Sequence, residues 1–159
     1  MSLVLAPDDR LTTPCFEVTE PSFGLFDQVE AMMDLMHKHG GIGLAANQAE
    51  YHNRVIVMQL PGEPRRVMIN PKLWQISGER KVVPEGCLSF PGQLRAFSRL
   101  TEVRVWYRNT VWQEHTVVLK GLGAQCAQHE IEHLAGEVFT DKGKLYGPSD
   151  PRSMDVQRP

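Results

Sequence analysis

A chain of 159 residues, 42% hydrophobic and 23% charged, is long enough to bury one core, and 13 Gly with 11 Pro fit neither a collagenous nor a disordered sequence. With 17 Lys and Arg against 19 Asp and Glu the formal net charge is −2, so no basic field exists to hold nucleic acid or anionic lipid, and neither is expected as a partner. No window reaches the ~20 apolar residues of a membrane span, and Leu3-Val4-Leu5 followed by Pro7-Asp8-Asp9 reads as neither signal nor transit peptide. Cys15, Cys87 and Cys126, odd in number and widely spaced, suit a reducing compartment, so a cytoplasmic rather than secreted protein is expected.

Along the chain, Leu25, Phe26, Val29, Met32, Met33 and Met36 recur at helical spacing, which predicts an amphipathic helix from Phe23 to His39 with Ser22 as N-cap and Gly40 as its stop. His37 and His39, two residues apart in its last turn, face different directions and read as structural. β-rich stretches follow at 54–60, 66–69, 72–76, 81–83, 101–107 and 111–119, punctuated by Pro61-Gly62, Ser77-Gly78, Pro91-Gly92 and Arg108-Asn109-Thr110, the last closing a hairpin between Tyr107 and Val111. A second helix is expected from about Gly121 to Gly136. Beyond it, Asp141 to Pro159 reads as an ordered turn and then a loose tail from about 143. The order predicts one α+β domain over 1–159, with antiparallel β-sheets packed around a central, late helix and a long N-terminal helix.

The late helix carries His129-Glu130-Ile131-Glu132-His133, in which two imidazoles four residues apart project from one face toward one metal ion, with Glu130 beside them. Stepping by about 100° per residue places Leu122, Cys126, His129 and His133 in one inward arc, and Gln125, Gln128 and Glu132 on a separate polar strip. Two histidines on a buried face require hydrogen-bond partners or a cation, since an unpaired buried polar group costs roughly 1–3 kcal/mol. A catalytic metal needs a third protein ligand. Glu137 and Asp141 stand downstream, and upstream Cys87 lies in Glu85-Gly86-Cys87-Leu88-Ser89, where it could serve as a thiolate or be a small buried hydrophobe.

Taken in order, 41–48 (Gly-Ile-Gly-Leu-Ala-Ala-Asn-Gln), 85–89 (Glu-Gly-Cys-Leu-Ser) and 128–134 (Gln-His-Glu-Ile-Glu-His-Leu) resemble the signature motifs of the peptide deformylase family, and the resemblance runs from Val4 to about Lys142. It implies a metal-dependent hydrolase that removes the formyl group from the formyl-methionine terminus of new polypeptides and releases formate. It implies Cys87, His129 and His133 as ligands of one divalent ion, typically iron(II), with zinc, nickel or cobalt also accepted. Glu130 then serves as general acid/base for a metal-activated water, and the Leu88 backbone N–H and the Gln48 amide as donors to the tetrahedral oxyanion. An extended substrate would run beside Ile42, Gly43 and Gly86, its methionine side chain among Ile42, Leu122, Cys126 and His129. The implied partners are formyl-methionyl nascent peptides and, transiently, the ribosome. A monomer is expected.

Four departures from the family pattern stand out. Glu132 replaces a usual Asp, a change expected in partner reach without loss of the site. Gln125 replaces an apolar pocket residue, the segment before Arg95 is one residue longer than the common form, and the tail lacks a long charged helix implicated in ribosome docking. The short form is closer to organellar or viral members, so a viral protein would work in the host cytoplasm. Two rivals are a zinc endopeptidase, which leaves Gln48 and Cys87 without a task, and a metal-stabilised binding module, in which Glu130 is incidental.

Overall fold

The computed structural model describes residues 1–76, 79–142 and 144–145. Helix α1 spans Phe23–Lys38, with the Ser22 side chain accepting from the Leu25 N–H at its start. It ends at Gly40, whose φ of 69° is readily adopted only without a Cβ. Strand β1 (Gly43–Ala45) and a 3₁₀ turn (Ala46–Ala49) follow, and β2 spans Val55–Met58. β3 runs unbroken from Arg66 to Ile76 where two stretches were expected, because the irregularity at Asn70-Pro71 bends the strand without ending it. β4 is Arg80–Cys87, β5 Phe90–Leu100, β6 Glu102–Arg108 and β7 Glu114–Lys120. Helix α2 (Gly121–Leu134), helix α3 (Phe139–Lys142) and β8 (Lys144–Leu145) complete the order.

Two readings from the sequence need correction. Pro91-Gly92 does not separate elements: both lie inside β5, where Gly92 takes a φ of 74° close to the register shift between β4 and β5, and the turn joining the strands is Leu88-Ser89. The later hairpin closes at Glu114 rather than Val111, since Asn109 accepts from the Val111 and Gln113 N–H groups and holds 109–113 as a loop. The turn expected from Asp141 falls at the end of α3, which starts at Phe139, and β8 follows it. The Ser77-Gly78 turn, Gly143 and the tail from residue 146 lie outside the described residues.

All ladders within the two sheets are antiparallel: one sheet is ordered β1-β2-β3-β6-β7 and the other β4-β5-β8. The architecture is α+β. β2 shows how the layers are built, since all four of its residues are buried: Val55 and Val57 pack toward the α1 cluster with Met32, Met36 and Ile69, while Ile56 and Met58 pack toward the α2 cluster with Met68, Val103 and Ala127. The β1-β2 end of the larger sheet is therefore sandwiched between the helices. Across β6 only Val103, Val105 and Tyr107 are buried, so that end is covered on one face. Asn47, from the 3₁₀ turn, donates to the carbonyl of His133 at 2.7 Å and fixes the end of α2 against this layer.

Candidate metal centre and cleft

α2 delivers His129 and His133 from successive turns of one buried face, and their Nε2 atoms stand 3.2 Å apart. Cys87 comes from the other sheet. A register shift between Gly86 and Cys87 at the end of β4 carries its Sγ to 3.2 Å from His133 Nε2. The three ligand atoms lie within 4.8 Å of one another, all buried. Glu85 holds His129 Nδ1 at 3.0 Å, which leaves Nε2 turned toward Cys87 and His133. This soft-plus-imidazole donor set fits a divalent transition metal. Of the other third-ligand candidates, Glu137 is not part of this cluster, and the side chain of Asp141 lies outside the described residues.

Behind His129 stands a buried ion-pair chain. Arg99 donates to both oxygens of Glu85, at 2.7 and 2.9 Å, and to Glu132 at 2.7 Å. Burial raises the Glu85 pKa, but the bonds from Arg99 and His129 outweigh it and hold the group below its ordinary value. Burial likewise works against charge on Arg99, and its two carboxylates overcome that and push its pKa up. For His129, burial alone would lower the pKa, yet Cys87 and Glu85 raise it to about 10. His133, also buried, is driven well below its usual value.

In front of the histidines Glu130 is 4% exposed, and its Oε2 has no hydrogen-bond partner among the described residues. Burial is the main reason its pKa rises to about 7. Gln48 accepts the Ala45 N–H at 2.9 Å through Oε1, which fixes its amide so that Nε2 points to Ser89 Oγ at 3.1 Å and Cys87 Sγ at 3.5 Å.

These groups line a cleft of about 580 Å³ that also takes in Ile42, Gly43, Gly86, Leu88, Leu122, Gln125 and Cys126. His133 lies beneath it, 1% exposed. β1 and β4 are edge strands of their respective sheets and both border the cleft. Leu122, expected to face inward, stands at the mouth and is about half exposed. Gln125 donates to the Pro84 carbonyl at 3.2 Å, and Arg95 lies over the Phe139 ring at 5.9 Å.

Gln128, on the polar strip of α2, has a task the sequence reading did not assign. It is buried and bonds both the N–H and the carbonyl of Leu100. Sequence reasoning also missed Arg99, Ser89 and Asn47 as supports, and it quoted Glu85 without a task. The one available signal was a pair of opposite charges on neighbouring strands, which becomes readable only once the β4-β5 register is known.

Two imidazoles and a thiol converging at the floor of a cleft, with a buried carboxylate alongside, define a metal-dependent hydrolase type of site. The Polypeptide deformylase family matches residues 1–147. A peptide deformylase of Chromobacterium violaceum is 38% identical over 144 residues, covering 89% of this chain and 86% of that protein. The peptide deformylase of the Vibrio parahaemolyticus bacteriophage VP16T, solved in complex with actinonin, superposes with a TM-score of 0.82 at 36% identity, covering 87% of this chain and all of the phage chain. A Met-Ala-Ser-bound class I type b peptide deformylase from Acinetobacter baumannii gives a TM-score of 0.85 at 28% identity, over 89% of this chain and 97% of that one. The chain belongs to the polypeptide deformylase family, whose members remove the N-formyl group from nascent polypeptides.

Proposed function

We propose that this enzyme deformylates formyl-methionyl peptides with Cys87, His129 and His133 holding one divalent ion and Glu130 moving the proton. The convergence of those three ligand atoms beside a buried, half-unpartnered carboxylate carries the reading. The resemblance favours iron(II), and zinc, nickel or cobalt suits the same donors. When bound, such an ion supplies Lewis acidity, lowering the pKa of water toward ~7 and polarising the formyl oxygen.

The remaining work falls to the chain. An extended peptide lies between the β1 and β4 edges, its backbone meeting Ile42, Gly43 and Gly86, and its first side chain enters the space bordered by Ile42, Leu122, Cys126 and His129. Glu130, with a pKa near 7, takes the proton of the attacking water and hands it to the departing amine nitrogen. The Gln48 Nε2 and the Leu88 backbone N–H donate to the oxygen that becomes negative. Glu85 keeps His129 in one orientation throughout, itself held by Arg99.

A monomeric catalytic domain is proposed, with all of these groups drawn from residues 42–133. No described helix is long and apolar enough to cross a membrane, and three reduced cysteines suit a cytoplasmic enzyme that meets the ribosome transiently.

The test is formate release from formyl-Met-Ala-Ser by nickel-reconstituted protein, with an unformylated protein as a second substrate. Chelator-sensitive deformylation without chain cleavage is the expected result. A metal-loaded protein that releases no formate would sink the reading, and chain cleavage would promote the endopeptidase.

A further inference from the structure

Gly43 sits in β1 with extended backbone, paired across to Met58, and its φ is not among the positive ones. Any L-residue could adopt that backbone, so the reason for glycine there is space rather than conformation. A Cβ built on Gly43 would stand 2.6 Å from Glu130 Oε1, 3.0 Å from Glu130 Cγ and 2.5 Å from Cys126 Sγ. Cys126, 6% exposed, is confined, its sulfur already 3.8 Å from the Ile42 carbonyl, whereas the Glu130 carboxylate, 4% exposed, borders the cleft and can yield only by swinging into it. Oε2 of the same carboxylate is bound by nothing among the described residues. The position of Glu130 is thus set in part by shape at Oε1, alongside a backbone bond from Ala45, while Oε2 has no partner among the described residues.

We propose that Gly43 is a positioning residue for Glu130, its missing Cβ being the space the carboxylate occupies. The inference rests on the deformylase reading and departs from a purely substrate-facing role for this glycine. Added bulk pushes the carboxylate off its seat while the ligands, Cys87 and the two imidazoles, stay in place. A displacement of about 1 Å at a reacting group costs on the order of 10²-fold in rate.

The test is a double-variant cycle on nickel-loaded protein with formyl-Met-Ala-Ser, comparing wild type, Gly43→Ala, Glu130→Gln and the double variant. Nickel content and thermal midpoint are measured on each. Gly43→Ala is expected to keep nickel at the wild-type level and KM within about twofold while kcat falls on the order of 10²-fold. Added to Glu130→Gln, it is expected to cost nothing further, because the group through which it acts has already been disabled. Equal losses in both backgrounds, or a raised KM with kcat intact, would overturn the proposal in favour of a substrate contact. An inactive wild type would instead remove the deformylase reading, and this inference with it. If Gly43→Ala fails to fold, the same cycle is run in the Cys126→Ala background, which removes the sulfur clash and keeps the one with Glu130.

Discussion

Glu85 and Glu130 are equally buried, 4% exposed each, and both lie close to His129, yet the protein surrounds them differently. Behind the ligands, Glu85 receives two bonds from Arg99 and one contact from His129, and Arg99 passes on to Glu132. In front of them, Glu130 keeps an oxygen with no partner, and burial lifts its pKa to about 7. A carboxylate with both oxygens engaged is a fixed charge that orients its neighbour. One left partly unsatisfied can change its protonation state during a reaction cycle, and the stability lost in leaving it so is confined to a single atom. The back of the site is thus built to stay constant and the front to change.

Substitutions on the two sides should separate accordingly. Glu130→Gln has the largest expected effect, a loss of about 10²–10⁴-fold in kcat with metal content unchanged, measured by formate release and metal analysis on the same sample. Retained turnover would erase the distinction. Gln48→Leu, also at the front, removes the proposed oxyanion donor and is expected to lower kcat by about 10²–10³-fold, read from the same assay. At the back, Arg99→Leu leaves two carboxylates facing each other without their cation. It is expected to weaken metal affinity about 10–100-fold in chelator competition and to destabilise the fold by about 3–5 kcal/mol in denaturant unfolding. Glu132→Asp is the smallest: its partner Arg99 keeps Glu85, the carboxylate charge is retained, and Glu132, 27% exposed, is the more open end of the ion-pair chain, so metal content should hold and the melting temperature should move by a few degrees at most.

The front was readable from the sequence because its spacing is local. His129 and His133 are four apart on one helix, Glu130 sits between them, and Gly41 to Gln48 form one short segment, so period and motif suffice. The back was not. Glu85 and Arg99 are 14 residues apart on the two strands of a hairpin, and they meet because of the β4-β5 register, which the sequence reading lacked because it expected no strand between Val83 and Thr101 and took Pro91-Gly92 as punctuation. The task of Gln128 was hidden for a related reason: a helical wheel sorts residues by angle and does not say which partner a polar strip meets, here the backbone of Leu100. α1, the late helix, β2 and the antiparallel α+β arrangement needed only periodicity. The order of strands within each sheet needed the structure.

Cys87 belongs to the three-stranded sheet, whereas the histidines ride on a helix packed against the five-stranded one, 46 residues further along the chain from Cys87 to His133. An ion bound there is a removable cross-link. It ties two separately hydrogen-bonded sheets through a single point and closes a long loop that the unfolded chain would otherwise leave open. Because binding favours the folded form by RT ln(1 + [L]/Kd), free metal at a thousand times its dissociation constant adds about 4 kcal/mol to the fold. The temperature at which this enzyme melts should therefore rise with metal supply, so that thermal unfolding reports how fully the site is loaded.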